Sequence, residues 1–262
     1  MLYYIFLVIC AVGCGCWVGL TSLHWWLFFP LLIGSFIAIN VVFLLGLLAA
    51  SLCLSRKPVE KSSAGCRFMI GFAMDWLTKV FRVRIRLTGR EQFPEEPFVL
   101  VSNHISDFDP MAFLAVERKR NIIYISKESN FHKPVVGPFI RNAEYLAIDR
   151  ENAMKAMRTL KRAAEIMERE QMIVGIFPEG TRSKTGELLE FKEGAFYLAK
   201  KAKCPIVVMV TKGTQNISKN FPLRHTDVSM NVLEVIDAGT VQEMSLSDLS
   251  GKIREIVKNG LN

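Results

Sequence analysis

The chain has 262 residues, and its 33 basic and 25 acidic residues give a formal net charge of +8 at pH 7. All of these charges follow the first 55 residues, which contain no Lys, Arg, Asp or Glu. Because the basic residues are scattered, we expect no nucleic-acid partner; anionic membrane lipids are favoured over a merely solvated basic surface. The six cysteines follow no metal-ligand or disulfide spacing and fit a reducing compartment.

The uncharged N-terminal segment contains two apolar runs, residues 1–20 and 31–54. As a helix the second run would be about 36 Å long, enough to cross a bilayer core, and the first run is just long enough. A secretory signal peptide is the competing interpretation, but the basic n-region is missing and the apolar stretch is far too long. We therefore predict that residues 1–55 form a hydrophobic helical hairpin that anchors the chain in a membrane.

The bend and the exit of this hairpin carry signals of their own. Polar, bulky or helix-breaking residues separate the two runs, namely Thr21, Ser22, His24, Trp25, Trp26 and Pro30. Basic residues follow the exit, namely Arg56, Lys57, Lys61 and Arg67. Positive charges beside a membrane segment favour the cytoplasmic side, so we expect the following domain on that face. Hydropathy leaves open whether the hairpin spans the bilayer or dips into one leaflet.

Two amphipathic segments come next. The first is a helix pattern with apolar side chains on one broad face: Phe68, Met69, Phe72, Trp76, Leu77 and Val80. It fits an interfacial helix or a core-packing helix equally well. The second segment, residues 82–87, alternates strictly and predicts a half-buried strand with Arg82, Arg84 and Arg86 on one side. That row faces lipid phosphates or is the exposed face of an edge strand.

Residues 56–262 are predicted to form one α/β domain, with a mixed sheet flanked by helices behind the two-helix anchor. Short apolar runs predict strands at 98–102, 122–126, 145–148, 172–177, 206–211 and 228–236. Helical patterns lie at 152–168, 192–201 and 248–258. The first of these is amphipathic, and Glu151–Lys155 and Glu165–Arg169 are spaced as four-apart ion pairs.

The first chemical motif follows the strand at 98–102. A histidine at the end of a strand can take a proton from a substrate hydroxyl near neutral pH, and His104 is so placed. A carboxylate bonded to the other ring nitrogen must fix the tautomer. Asp107 and Asp109 are both candidates, and the spacing does not choose between them; one of them instead caps the helix after Pro110.

The second motif is Phe177-Pro178-Glu179-Gly180-Thr181-Arg182-Ser183, which follows the strand at 172–177. Gly180 permits a turn that exposes backbone amides, and Thr181 and Ser183 supply hydroxyls. The guanidinium of Arg182 can bind a phosphate through two hydrogen bonds. A base, an anion site and a membrane anchor on one chain together indicate chemistry on an amphiphilic phosphorylated substrate.

The chain resembles the 1-acylglycerol-3-phosphate O-acyltransferases, which belong to the glycerolipid acyltransferase superfamily. Three features carry the resemblance, in the family's order: His104 with Asp109 as an HX4D motif, residues 177–183, and the strand entered through Pro205-Ile206-Val207. The matched region runs from about residue 87 to 210. His-x4-Asp alone is moderately specific, and together with Pro-Glu-Gly-Thr-Arg it is strong.

The resemblance implies transfer of a fatty acyl group from acyl-carrier protein or acyl-CoA to the sn-2 hydroxyl of lysophosphatidic acid. This gives phosphatidic acid for phospholipid biosynthesis, without a metal or other cofactor. It makes His104 the general base and Asp109, rather than Asp107, its orienting partner. It also implies that Lys127 and Arg182 bind the phosphate with help from Arg150, while the loop residues organise the turn or the glycerol: Glu179, Gly180 and Thr181.

Three alternatives remain at this stage. Within the same chemistry, glycerol 3-phosphate or another lysophospholipid could be the acceptor. A catalytically inert membrane adaptor would have lost a catalytic residue, yet both are present. A metal-dependent hydrolase would use His104, Asp107 and Asp109 as ligands, but His132 and His225 lie in no ligand motif, and a Gly-x-Ser-x-Gly serine-lipase signature is absent from the sequence.

Overall fold

The structure is a computed structural model that describes residues 2–20, 24–57, 59, 61–183 and 185–262. The chain divides into two compact units, Met1–Leu54 and Ser55–Asn262. The predicted bend residues Thr21 and Ser22 lie outside the described part of the chain, as does the side chain of Trp25.

The first unit is a pair of apolar helices. Helix α1 covers Leu2–Leu20, a 3-10 turn covers Trp25–Leu27, and α2 covers Phe28–Leu52. The spans Tyr3–Leu20 and Phe28–Leu52 are long and apolar enough to cross a membrane, by length and composition. Most large apolar side chains of both helices are exposed. Because such exposure is unfavourable in water, the pair is compatible with membrane anchoring.

The second unit is a seven-stranded mixed sheet flanked by helices, as expected from the sequence. The strands are β1 (Val83–Thr88), β2 (Val99–Ser102), β3 (Ile122–Lys127), β4 (Leu146–Ile148), β5 (Ile173–Ile176), β6 (Ile206–Lys212) and β7 (Thr226–Ile236). The helices are α3 (Ala64–Val80), α4 (Phe108–Val116), α5 (Glu128–Phe131), α6 (Val136–Asn142), α7 (Ala153–Glu170), α8 (Tyr197–Ala202), α9 (Ile217–Asn220), α10 (Ala238–Glu243) and α11 (Leu246–Leu261).

The strand order is β1-β7-β6-β2-β5-β3-β4. Strands β6, β2, β5, β3 and β4 run parallel, and β7 is antiparallel to β6. The central strand β2 is buried on both faces, which explains its unbroken apolar run. The carboxyl ends of five strands therefore meet at one edge of the sheet, where an α/β domain usually presents its chemistry.

Strand β1 is at the edge of the sheet and its burial alternates, as the sequence pattern predicted. Arg84 and Arg86 lie on its exposed face. Arg82 is also exposed, but it precedes the strand with a positive φ of 55°. Its guanidinium donates a hydrogen bond to the carbonyl oxygen of Leu223 at 3.0 Å.

Helix α3 begins at Ser63, whose side chain accepts a hydrogen bond from the backbone N–H of Cys66. Its buried side chains include Ile70, Ala73 and Trp76, and the helix packs against α4 and α6. The predicted apolar face was therefore only partly right, because Phe68 is 63% exposed. One face of the helix packs against the rest of the domain, and the aromatic ring of Phe68 lies on a different, exposed face.

The two ion pairs predicted at helix α7 are wrong. Lys155 lies 3.4 Å from Asp149 rather than pairing with Glu151. Arg169 lies 2.7 Å from the carboxylate of Glu144 rather than pairing with Glu165. Glu144 is buried, so its charge requires a partner, and this requirement outweighs a weak pair between exposed side chains.

Candidate active site

The two sequence motifs lie on adjacent strands and are joined by their backbones. His104 lies two residues beyond β2, and Phe177 directly follows β5, which pairs with β2 in parallel. The backbone N–H of Ser183 donates a hydrogen bond to the carbonyl oxygen of His104 at 2.9 Å. The loop with the histidine and the loop with the arginine therefore form one structure at the carboxyl edge of the sheet.

The imidazole of His104 is held by Asp109, in the first turn of α4. The ring nitrogen Nδ1 lies 2.9 Å from Oδ2 of Asp109, whose side chain is 2% exposed. The same oxygen accepts hydrogen bonds from the backbone N–H groups of Ile105 and Ser106, both at 2.8 Å. A carboxylate oxygen that accepts from its neighbours makes Nδ1 the donor, so the neutral ring has Nε2 as its proton acceptor.

Aromatic stacking fixes the plane of the imidazole. The ring of Phe177 lies 4.2 Å from that of His104, with an interplanar angle of 15°. Tyr124 stacks on Phe177 in turn, with ring centroids 5.7 Å apart. Burial raises the pKa of Tyr124 well above its ordinary value, so its hydroxyl stays neutral at physiological pH. The three rings form a layer that restricts the orientation of His104.

Glu179 connects the backbones of both loops. Its side chain is 4% exposed; Oε1 accepts from the backbone N–H of His104 at 2.6 Å, and Oε2 accepts from that of Leu189 at 3.0 Å. Burial raises the pKa of this carboxyl, and the two backbone donors oppose that rise. Since both oxygens are taken by backbone groups, the geometry favours a loop-organising role over contact with the glycerol.

Asp107 and Arg182 form a separate pair. Oδ2 of Asp107 lies 2.6 Å from the guanidinium of Arg182, and the two side chains are 71% and 53% exposed. The geometry thus distinguishes the two aspartates that spacing left equivalent: Asp109 contacts the imidazole, and Asp107 contacts the arginine. An exposed ion pair of this kind contributes only about 0–1 kcal/mol, so a better ligand can displace Asp107.

Two further cations lie along the same edge. Lys127 ends β3, in register with Ile148 at the end of β4, and Arg150 follows two residues later; both side chains are exposed. Although Arg150 is exposed as a residue, partial desolvation and the charge of Arg182 lower the pKa of its guanidinium. The strand order β2-β5-β3-β4 therefore places a histidine, two arginines and a lysine along one edge of the sheet.

The turn before Arg182 depends on Gly180. Its φ is +69°, and its N–H donates to the carbonyl oxygen of Phe177 at 3.0 Å. A Cβ at this position would lie 3.0 Å from Cε of Lys192, so a side chain would be strained by its backbone and crowded by the lysine. Thr181 is exposed at the same turn.

Comparisons with known proteins agree with this arrangement. A family model described as Acyltransferase matches residues 84–212. The human 1-acyl-sn-glycerol-3-phosphate acyltransferase beta is 34% identical over 201 residues, which cover 74% of this chain and 70% of the relative. The chain belongs to the 1-acyl-sn-glycerol-3-phosphate acyltransferase family.

More distant members of the acyltransferase family are similar over less of their length or in fold alone. The Saccharomyces cerevisiae 1-acyl-sn-glycerol-3-phosphate acyltransferase is 27% identical, over 65% of this chain and 57% of its own length. The crystal structure of the 1-acyl-sn-glycerophosphate acyltransferase PlsC from Thermotoga maritima superposes with a TM-score of 0.63. It covers 86% of this chain and 90% of that chain at 24% identity, which supports the same fold.

Sequence reasoning missed a third loop of this acyltransferase, at the end of β6. The side-chain amide of Asn103 donates to the carbonyl oxygen of Thr211 at 2.9 Å, and its oxygen accepts from the N–H of the same residue at 2.8 Å. Thr214 donates a hydrogen bond from its hydroxyl to Oδ1 of Asp109. Asn103 stands beside the histidine and could have been noticed, whereas a threonine 105 residues from its partner has no sequence signal.

The histidine–aspartate site of the acyltransferase contains no evident set of metal ligands. Within the described ranges, no group of three or more His, Cys, Asp or Glu side chains could hold a metal ion. His132 lies 3.4 Å from Glu128, and His225 lies 3.4 Å from Asp227.

Glu179→Gln is expected to reduce kcat of this acyltransferase by about tenfold or more, although the change is isosteric. Both carboxylate oxygens accept hydrogen bonds from backbone N–H groups. In glutamine an NH2 group takes the place of one oxygen, so a donor faces a backbone donor there, and the lost hydrogen bond costs roughly 1–3 kcal/mol. Steady-state acyl transfer by the purified variant measures the effect. Glu190→Gln is the matched control, because that glutamate is in the same loop but 87% exposed; equal losses in both variants would contradict the assignment.

Proposed function

We propose that the protein transfers a fatty acyl group from a thioester donor to the sn-2 hydroxyl of 1-acylglycerol 3-phosphate and so produces phosphatidic acid. The observation that carries the proposal is the His104–Asp109 pair one backbone hydrogen bond away from the loop of Arg182. A base and a phosphate-binding cation on two loops joined in this way suit an acceptor whose hydroxyl and phosphate are close together. The relatives' names describe the same acceptor.

His104 acts as general base in this proposal. Its Nε2 removes the proton of the acceptor hydroxyl while that oxygen attacks the thioester carbonyl carbon. The carbon–sulfur bond then breaks, and the imidazolium returns the proton to the departing thiolate. Asp109 orients the ring and stabilises its positive charge during the transfer. No covalent enzyme intermediate or cofactor is needed.

Arg182 and Lys127 bind the acceptor phosphate, and Arg150 increases the positive potential beside them. Arg182 exchanges its exposed contact with Asp107 for two charge-assisted hydrogen bonds to phosphate oxygens. This fixes the acceptor hydroxyl near Nε2 of His104. Such positioning supplements general-base catalysis, which alone contributes roughly 10²–10⁴-fold. Glu179, Gly180 and Thr181 maintain the turn that presents the arginine.

The N-terminal helices hold the enzyme at a membrane, with the α/β domain on the cytoplasmic face beside anionic lipids. Their apolar exposed surface and the absence of charge in the first 55 residues support the anchoring, and the basic residues that follow the second helix support the cytoplasmic face. Both substrates of the reaction carry acyl chains, so a lipid surface would supply the acceptor directly. The donor is acyl-CoA or acyl-carrier protein.

The proposal is tested by product analysis. Purified enzyme is incubated with lysophosphatidic acid, glycerol 3-phosphate or a neutral lysolipid, each against acyl-CoA and acyl-carrier protein donors, and the products are identified by mass. Lysophosphatidic acid is expected to have the highest kcat/KM, with the new acyl group at sn-2. Preference for glycerol 3-phosphate, or for a lysolipid without a phosphomonoester, would overturn the acceptor assignment and leave the acyltransferase class intact.

A further inference from the structure

Thr214 makes a buried contact with the site. It follows β6 and begins a 3-10 turn, Thr214–Asn216, and it is 0% exposed. Its Oγ1 lies 2.5 Å from Oδ1 of Asp109, and the two residues are 105 positions apart. Gly213 makes this approach possible, because its φ is +96° and a Cβ there would lie 2.3 Å from the carbonyl oxygen of Asp227.

The two oxygens of Asp109 are satisfied differently. Oδ2 accepts from the imidazole of His104 and from two backbone N–H groups. The hydrogen bonds of the described residues give Oδ1 one donor, the hydroxyl of Thr214. Since Asp109 is 2% exposed, loss of that hydroxyl would leave half of a buried carboxylate without a partner.

The end of β6 is also fixed relative to the histidine. The amide of Asn103 binds both backbone groups of Thr211, so β2 and β6 are tied together immediately before His104. The hydroxyls of Ser102 and Thr211 lie 3.3 Å apart in the same buried layer. Thr214 therefore contacts Asp109 from a strand end that is held in place by these hydrogen bonds. Such a position suits a residue that fixes the orientation of the Asp109 carboxylate.

We propose that Thr214 is a positioning residue that fixes the plane of the Asp109 carboxylate and thereby the orientation of His104. The terminal torsion of an aspartate is broad, so donors on one oxygen alone define its plane poorly. Donors on both oxygens define it, and they direct Oδ2 at Nδ1 of the imidazole. The inference rests on the proposed function insofar as it takes His104 to be the base; the geometry of the contact is independent of the substrate.

Three variants test the role. Thr214→Val keeps the volume and removes the hydroxyl; we expect kcat to fall by about 10- to 100-fold, with KM for both substrates within about threefold. Thr214→Ser restores the donor and should retain activity within about threefold of wild type. Thr226→Val is the matched control, because its hydroxyl is also buried but accepts from Asn220 rather than donating to Asp109; its kcat should be unchanged.

The outcomes separate a positioning role from a structural one. Equal kcat in wild type and Thr214→Val overturns the inference, as does failure of Thr214→Ser to recover activity when its thermal midpoint is native. If Thr214→Val does not fold, Thr214→Cys keeps the volume with a weaker donor. The kcat of Thr214→Cys should lie below the values of wild type and Thr214→Ser and above the value of His104→Ala. A native kcat in the cysteine variant contradicts the role.

A readout without substrate distinguishes failure of this inference from failure of the proposed function. The Nδ1 proton of an imidazole bonded to a carboxylate resonates far downfield, and its loss in His104→Ala assigns it. The signal should persist in Thr214→Ser and shift or broaden in Thr214→Val. An unchanged signal in Thr214→Val overturns the positioning role, whatever acceptor the enzyme uses. Conversely, inactivity of the wild type towards lysophosphatidic acid overturns the proposed acceptor alone.

Discussion

His104→Ala should lower kcat for acyl transfer by about 10²- to 10⁴-fold, the contribution of a positioned general base. In the proposed mechanism, Nε2 of His104 takes the acceptor proton while Asp109 holds Nδ1. KM for the phosphorylated acceptor should change little, because the cations proposed to bind the phosphate remain. Initial rates with purified enzyme, at saturating thioester and varied lysophosphatidic acid, measure both constants.

The control for this variant is His225→Ala. His225 also has an aspartate partner, Asp227 at 3.4 Å, but both side chains of this pair are exposed. Its loss should leave kcat within about twofold of wild type, as for most surface substitutions. Both variants should still associate with membranes through the N-terminal helices. Near-normal turnover by membrane-inserted His104→Ala would exclude the general-base mechanism.

Arg182→Ala should raise KM for the phosphorylated acceptor by about 10- to 100-fold, the range expected for lost charge-assisted hydrogen bonds. KM for the thioester donor should stay within about twofold. Lys127 remains in the variant and retains part of the attraction. Kinetics with each substrate varied in turn separate the two constants. The selective rise in the acceptor KM is the informative result, because a general disturbance of the loop would reduce kcat instead.

Arg84→Ala serves as the matched control for Arg182→Ala. Arg84 is an exposed arginine on β1, at the sheet edge farthest from β4 and four strands from β5. Removal of its charge should leave the acceptor KM unchanged. If Arg182→Ala altered the thioester KM alone, or if both arginine variants raised the acceptor KM equally, Arg182 would not be the phosphate ligand.

The strands and the two motifs were predictable because their signals are local. Apolar runs placed β2 and β6 within one residue of their observed ends, since a strand buried on both faces is apolar throughout. Strand order was not predictable in the same way. It depends on pairings between segments far apart in the chain, such as β1 with β7, and no run of residues records them.

Errors arose where tertiary contacts outweighed local preference. Periodicity placed Phe68 on the same apolar face as Trp76 without deciding whether that face packs on the domain, and the neighbouring α4 and α6 determine which residues are covered. Arg169 was paired with Glu165 by spacing, but the buried Glu144 binds it instead. Spacing alone did not choose between Asp107 and Asp109, and the choice of Asp109 rested on the family resemblance; the start of α4 places Asp109 against the ring. Thr214 could not be found without the parallel pairing of β2 and β6.

Because Asp107 contacts Arg182, an anion that binds this guanidinium must displace a carboxylate rather than bind an unpaired cation. Every incoming anion must compete with a carboxylate that is covalently part of the enzyme and always present at the site. The competition is easily won by a phosphomonoester with up to two negative charges and three oxygens, and less easily by a singly charged phosphodiester. Bulk membrane phospholipids are phosphodiesters. In the proposed function, the exposed ion pair therefore lowers the occupancy of Arg182 by every headgroup to a small extent, and the second charge of the phosphomonoester makes the acceptor the stronger competitor.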